Sequence, residues 1–495
     1  MPTAYKHGTY GENEASNYSG LTSQGTVPTY IGTLPIHRIN ADGAEGFDYA
    51  KYINQPLLIS SHREIKNLGI YSDDWESFTL CEPLRAHFMN GDEVIAPVIL
   101  INMLDPEKDV AAETKTETVA LTKEGKTHVG YIEDPLCNLD TLAVTVADTE
   151  FAPGEITTAY ENDRVVVTIT KEGFTGASAQ AVYTPIKFSA AEVSEADFEA
   201  ALEAVDYIEP VTTHITNILC APQLSEKPGL HDLMIQKVMD KAMQKWNLIS
   251  VSDIPSNTED LKTFDGALAW KKTNQYNAKL DKVIYPCAGG GNYIYRGSTI
   301  AAYMMQKTDF ENDDTPYVSA SNKVIPFIDR ICYADGTTVF IKEYEANDLN
   351  KKGITTFNFA KQTFRLWGSH MSNYDFDKLT SINPEDRFDV SVRMSAYILN
   401  HLMYNYLDQI DESFSSKEID GLQNGVQTWL DSLVSDGKLL YATIVFDKTA
   451  NTDEELMNGD ILFDLEVTYP ISAKSITFRL QYNKIGLTTL FGQQE

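Results

Sequence analysis

Ser475-Ile-Thr-Phe-Arg-Leu-Gln-Tyr482 alternates without a break: Ile476, Phe478, Leu480 and Tyr482 fall on one side, Ser475, Thr477, Arg479 and Gln481 on the other. A period of two is the mark of a half-buried strand. Just upstream, Ile461, Phe463, Leu465, Val467 and Tyr469 alternate in the same way, and Pro470 closes that strand. Beyond Tyr482 runs another β-prone piece, Ile485-Gly-Leu-Thr-Thr-Leu-Phe491. Proteins blunt, cover or use an unpaired strand. The expectation here is use, with the partner supplied by another copy of the chain.

A length of 495 residues suggests roughly three domains. The hydrophobic share of 43% is ample for real cores, and 26 Tyr with 21 Phe lean towards β-rich packing. No apolar run reaches the ~18 residues of a membrane span, and Met1-Pro-Thr-Ala-Tyr-Lys-His-Gly8 lacks the apolar stretch of a signal peptide. Neither a transmembrane helix nor secretory routing is expected. A net charge of −31 argues against nucleic acid and anionic membranes, whose phosphates must be met by Lys and Arg. The five cysteines (Cys81, Cys137, Cys220, Cys287, Cys332) are scattered, odd in number and form no CxxC pair, so reduced thiols are expected.

Taken in order, residues 1–25 are rich in Gly, Ser, Asn and Tyr and read as an extended arm or a disordered terminus. Val27–Pro35 and Pro56–Ser60 are predicted strands, and Ser60 or Ser61 opens a short helix over His62–Leu68 that Gly69 stops. Trp75–Phe88 reads as a helix that Pro83 should kink or split, and Ile95–Leu104 as a strand covered on both faces. From 105 to about 188 the chain turns Thr- and Val-rich, with short strands between turn residues, which predicts an immunoglobulin-like β-sandwich inserted into a larger domain. Helices and strands then alternate: a helix after Ser194, strands at Ile218–Pro222, Asn247–Val251, Lys282–Pro286 and Thr338–Ile341, and a helix over His231–Trp246. Long helices are predicted near Asp386–Ile410 and Ile419–Val434, and the whole reads as a mixed α/β multidomain protein with part of its sheet parallel.

Chemistry is harder to find. Cys287-Ala-Gly-Gly-Gly-Asn292 follows a strand but lacks the Lys-Ser or Lys-Thr of a phosphate loop, so it reads as a turn. Asp309-Phe-Glu-Asn-Asp-Asp314 starts like a calcium loop without its glycine and distal Glu. Nine dispersed histidines include no HExxH, and no GxSxG elbow occurs. Among 71 acidic residues no carboxylate pair is singled out. No catalytic residue, metal ligand or cofactor site is assigned.

The order of elements resembles that of contractile tail sheath proteins of phages and R-type bacteriocins. The resemblance is carried by Val27-Pro-Thr-Tyr-Ile-Gly-Thr33, Asn54-Gln-Pro-Leu-Leu-Ile-Ser-Ser61, Trp75 through Gly91, Ile218-Leu-Cys-Ala-Pro222, Tyr293 through Asp309, Gly353-Ile-Thr through Leu366-Trp-Gly368, and Phe388-Asp-Val-Ser-Val-Arg393. Thr355 stands where the family usually has Asn, and Ser369-His370 where an Arg often follows Trp-Gly. The implied organisation is an arm (1–25), a sheath core in two parts (26–104 and 189–345) split by an outward-facing sandwich (105–188), a C-terminal α/β inner domain (346–474), and a final strand and arm (475–495).

The resemblance implies a structural, non-enzymatic subunit of stacked six-membered rings around an inner tail tube. Its implied partners are other copies of itself, the tube protein, baseplate and terminator proteins. Assembly in a bacterial cytoplasm into a virion tail or tail-like particle is implied too. Strand exchange between copies falls to Tyr5, Thr9, Tyr10, Ile476, Phe478, Leu480, Tyr482, Leu487, Leu490 and Phe491. A tube-facing helix would use Ile419, Leu422, Val426, Leu430 and Val434, a stripe that equally suits ordinary core packing. The rival readings are a virion or cell-surface glycan-binding protein, whose sandwich offers only Tyr131, Phe151 and Tyr160, and a carboxylate-dependent hydrolase.

Overall fold

The computed structural model describes residues 25–39, 47–91, 93–147, 149–244, 246–413 and 415–483. Three strands come first: β1 (Pro28–Gly32), β2 (Pro56–Ile59) and β3 (Val98–Asn102). Helix α1 (His62–Leu68) begins where the Ser61 hydroxyl and the Ser60 N–H both donate to Glu64, at 3.1 and 2.8 Å. It ends at Gly69, whose φ of 67° only glycine adopts cheaply. Helix α2 covers Cys81–Phe88 alone, not the whole of Trp75–Phe88. Pro83 sits in its first turn, where N–H groups lack helical partners anyway, so it starts the helix instead of kinking it.

The segment after β3 forms seven antiparallel strands: β4 (Lys115–Ala120), β5 (Thr122–Glu124), β6 (Thr127–Ile132), β7 (Ala143–Thr145), β8 (Ile156–Glu161), β9 (Arg164–Ile169) and β10 (Ser178–Tyr183). They make two sheets, β4-β10-β7 and β5-β6-β9-β8, and their inward residues Val119, Ile132, Val165, Val167, Ala181 and Tyr183 share one core. The chain enters and leaves side by side: Ala111 N donates to Pro185 O at 2.9 Å and Lys187 N to Asp109 O at 2.8 Å. A buried cation helps to pin this module down. Buried Arg38 donates to Asp163 (2.9 Å) and to the carbonyls of Pro135 (2.9 Å), Asn162 (3.0 Å) and Tyr71 (3.1 Å).

The chain then returns through α3 (Glu195–Glu203), α4 (Ile208–Thr212), β11 (Ile218–Cys220), α5 (Pro228–Gln244), β12 (Ile249–Asp253), α6 (Phe264–Thr273) and β13 (Asp281–Ile284). A small sheet follows, β14 (Cys287–Gly290), β15 (Tyr293–Tyr295) and β16 (Arg330–Cys332), with α7 (Gly297–Phe310) between its last two strands. After α8 (Glu343–Lys351) come β17 (Ile354–Ala360) and β18 (Thr363–Trp367). The central sheet runs β18-β17-β13-β12-β11-β1-β3-β2, parallel from β17 to β3 and antiparallel at both ends.

Alternation along the strands builds two cores. Val98 and Leu100 join Tyr30, Cys220 and Val251 on the face covered by α2 and α7, while Ile99 and Ile101 join Ile31 and Leu219 on the face covered by α3 and α5. Each such aliphatic side chain contributes about 1.5–3 kcal/mol when fully buried. Two expectations are corrected. Thr338–Ile341 forms no strand: Thr338 makes one isolated bridge to Cys332, and Phe340 is 85% exposed. Since β17 and β18 belong to the central sheet, that sheet extends into the span 346–474 assigned to an inner domain.

Helix α7 is buried along nearly its whole length, and two carboxylates meet its N-terminus. Arg296 N and the Thr299 hydroxyl donate to Glu82, both at 2.6 Å, while Ser298 N donates to Asp253 at 2.7 Å. Burial pushes both carboxyls up to about 7; the Arg296 charge opposes this at Glu82, and the Glu226 charge adds to it at Asp253. An acid that holds its proton more tightly when folded stabilises the fold fully below the unfolded pKa of ~4.3, and that stability is lost as pH rises through about 7. Between pH 5 and 8 the wild type should therefore lose about 2–3 kcal/mol more than Glu82→Gln, read from denaturant midpoints at the two pH values.

Candidate assembly interface

The C-terminal unit is built from α9 (Asp389–Asn405), α10 (Ser416–Ser435), β19 (Tyr441–Val445), α11 (Asp453–Asn458) and β20 (Asp464–Thr468). Helix α10 starts in a capping box, Ser415 with Glu418, and its apolar residues recur at helical spacing. Val426, Leu430 and Leu433 pack with Val390, Met394 and Ile398 of α9 and with Ala442 and Ile444 of β19. The stripe Ile419, Leu422, Val426, Leu430, Val434 thus turns inward: Val426 and Leu430 are in the core, Leu422 and Val434 pack against it, and Ile419 is half-buried. The exposed face of α10 carries Lys417, Asp420, Asn424, Thr428 and Asp431.

β19 and β20 pair antiparallel, Tyr441 opposite Thr468 through Val445 opposite Asp464, and form a sheet of two strands. The alternation read in the sequence holds: Phe463, Leu465, Val467 and Tyr469 turn to the core, and Asp464, Glu466 and Thr468 to solvent. The two edges differ. Gln427 accepts from Ile444 N (3.0 Å) and donates to Ala442 O (3.2 Å), and Gln423 donates to Ile444 O (3.2 Å). Helix α10 therefore closes the outer edge of β19 with side-chain amides. Because Ala442 and Ile444 turn their backbone outward, their opposites Val467 and Leu465 do so too on the other side. No described strand pairs with that outer edge of β20. The glutamines carry no periodic signal; only the register reveals what they do.

Removing one glutamine should open the second edge. Gln427→Ala leaves Ile444 N and Ala442 O without their side-chain partners, costing about 1–2 kcal/mol. The variant is expected to self-associate irregularly, seen by analytical ultracentrifugation as species absent from the wild type.

The segment after β20 departs from its expectation. Residues 470–483 join no sheet, so the predicted strand at 475–482 is unpaired among the described residues. Ile476 is 72% exposed, Phe478 90%, Leu480 101% and Tyr482 76%, so the stripe read as half-buried covers none of the described residues. Lys474 anchors its start, with its ammonium 5.0 Å from the Phe376 ring centroid and 6.0 Å from that of Tyr374. At the other end of the chain, Thr26 donates to Asp309 at 2.5 Å, and Arg393 of α9 donates to both. Tyr5, Thr9, Tyr10, Leu487, Leu490 and Phe491 lie outside the described residues.

Side chains that suggested chemistry have structural places. Cys287–Gly290 is a strand and Gly291 a left-handed turn, and all five cysteines are unbridged and buried. Asp309 is buried in the pair with Arg393. In the module, Tyr131 lies under Arg164 (3.9 Å) and Tyr160 donates to Cys137 O at 3.1 Å. Among the described residues no cluster of His, Cys, Asp and Glu is arranged to hold a metal ion, and no helix is long and apolar enough to cross a membrane.

Comparison with known proteins gives a consistent class. No protein-family model matches the chain. The tail sheath protein of Burkholderia phage BcepMu is 24% identical over 520 aligned positions, covering 99% of this chain and 100% of that one. A prophage major tail sheath protein of Pseudomonas aeruginosa strain UCBPP-PA14 is 21% identical, covering 63% and 79%. Among solved structures, a chain of the anti-feeding prophage baseplate aligns at TM-score 0.57 (12% identity, 97% of this chain and 99% of that one). A chain of the contracted sheath complex of the PVC extracellular contractile injection system aligns at 0.56 (12% identity, 98% and 99%). The fold is that of subunits from contractile particles. Within that class, this chain is similar over 99% of its length to a phage tail sheath protein.

Proposed function

We propose that the protein is the structural subunit of a contractile tail sheath, polymerising as stacked six-membered rings around an inner tube. The observation that carries this reading is the complementary pair of unmet needs at the C-terminal unit. Among the described residues, a stretch with alternating apolar side chains beyond Lys474 is unpaired, and a two-stranded sheet has no strand on one edge of β20. One copy's Ile476–Tyr482 added to that edge in the next copy is β-augmentation. Tyr5–Tyr10 and Leu487–Phe491 are the other arm segments. Six to eight donated residues add several hydrogen bonds at ~1 kcal/mol net each, with alternate side-chain burial besides.

Links of this kind keep a lattice connected while the cores slide, so contraction proceeds from an extended packing to one that buries more surface. The energy lies in the interfaces, and neither nucleotide hydrolysis nor a catalytic site is required. The seven-stranded module is an immunoglobulin-like sandwich facing away from the tube, and the polar face of α10 is the part of that helix left for a partner. Partners are further copies, the tube protein, and baseplate and terminator proteins, met during assembly in the host cytoplasm. Negative-stain microscopy of the recombinant protein should show striated hollow tubes, and deletion of residues 1–20 should leave folded single subunits. Dispersed particles from the intact chain, or normal tubes from the deleted one, would contradict the reading.

A further inference from the structure

We infer that Cys287 and Cys332 form a built-in thiol pair that closes to a disulfide when a small disulfide reagent reaches it. The two are direct cross-strand partners: in the antiparallel pairing of β14 with β16, Cys287 stands opposite Cys332, Ala288 opposite Ile331 and Gly289 opposite Arg330. Directly opposed residues in an antiparallel pair have Cα atoms about 4.5–5.5 Å apart and side chains on one face of the sheet. That separation falls inside the roughly 4.4–6.8 Å span of disulfides, while Cβ atoms about 4.5–5.5 Å apart must draw in towards the roughly 3.5–4.5 Å of a bridge, so closure takes side-chain rotation and a small approach of the two strands. Both thiols are free in the structure, Cys287 at 4% exposure and Cys332 at 0%.

The other three cysteines have no such partner. Cys220 stands opposite Tyr30 and Val251, Cys81 lies on α2 against Ser72 N and Ile70 O, and Cys137 belongs to the module core. Pairing is therefore specific by position. The bond would join the two ends of the segment that carries β15 and α7, the helix buried against the central sheet. Closing that segment limits how far α7 departs when the layer loosens, and it constrains the unfolded chain.

The chemistry is a thiol–disulfide exchange. One cysteine sulfur attacks oxidised glutathione and releases one glutathione thiol. The second cysteine then attacks the mixed disulfide and releases the other. Two thiol hydrogens leave the protein and two electrons pass to the reagent. Burial raises the Cys332 thiol to about 11 and the Cys287 thiol further, so the resting pair is the dithiol and closure is slow.

Full-length protein held overnight with excess oxidised glutathione, quenched with acid and unfolded in denaturant should titrate three thiols instead of five. Its intact mass should fall by two hydrogens, non-reducing peptide mapping should join the Cys287 and Cys332 peptides, and the thermal midpoint should rise until dithiothreitol reverses it. Cys332→Ser should join no two of its peptides, lose at most one thiol to a glutathione held on Cys287, and show no midpoint shift. Five thiols retained by the wild type, a stable glutathione adduct on it, or a bridge through Cys81, Cys137 or Cys220 would overturn the inference. If a serine variant fails to fold, the wild-type peptide map decides alone.

Discussion

Val467→Pro is expected to yield a folded chain that no longer forms tubes. Val467 lies on β20 opposite Ala442, a residue whose carbonyl is already turned away from the sheet and held by Gln427. Its own N–H therefore points out of the open edge, where an incoming strand would need it. Proline removes that donor and places a ring in the way, yet it is tolerated on edge strands because the inner ladder does not use the position. The pairing through Asp464, Glu466 and Thr468 should survive. Losing one or two bonds and adding a clash costs the junction about 2–3 kcal/mol, or roughly 30- to 150-fold in each link. Over a whole lattice that abolishes assembly. Circular dichroism should stay close to wild type while sedimentation shows single subunits; tubes formed by the variant would remove β20 as the acceptor.

A second large effect is expected at Lys282. Its side chain is fully buried, and its ammonium donates to Asp389 (2.9 Å) and to the carbonyls of Gly368 (3.0 Å) and His370 (3.3 Å). Lys282 comes from β13 in the central sheet, whereas Asp389 opens α9. One cation thus ties the sheet to the C-terminal unit. Lys282→Met leaves a buried carboxylate without its charge partner, a loss of about 3–5 kcal/mol. Adding Asp389→Asn should restore part of it, because the stranded charge goes. Denaturant unfolding of the two variants measures this, and equal stability of both would mean the pair is not the cause.

Much of the fold was legible because period and punctuation survive in single segments. Ile95–Leu104 reads as a doubly covered strand since both faces of β3 are apolar, and α1 declares its ends through Ser61 and Gly69. Trp75–Leu80 misled because its aromatic and aliphatic residues are buried from a turn, where spacing carries no meaning. Thr338–Ile341 has strand-forming residues and lies beside β16, but pairs with it at a single bridge, Thr338 opposite Cys332. Of the proposed junction, the alternation of Ile476–Tyr482 and that of Phe463–Tyr469 could be seen in advance. The closed edge could not: Gln423 and Gln427 look like any solvated pair until the register of β19 is known. The α10 stripe was visible too, but an amphipathic pattern does not say whether its apolar side meets the same molecule or another.

The neighbouring crossings of the seven-stranded module have an engineering consequence. Asp109, Ala111, Pro185 and Lys187 bring its two ends together at hydrogen-bonding distance, so apart from Pro135, Leu136, Asp140, Asn162 and Asp163, which also touch the core, what lies between them meets the central sheet as a single short loop. A cargo of any length whose own termini lie about 5 Å apart can be grafted there without shifting β3 or its neighbours. The graft must also bring an acid and carbonyl oxygens for Arg38, or replace that arginine with an uncharged residue. A particle bearing one such graft per subunit becomes a regularly spaced display scaffold.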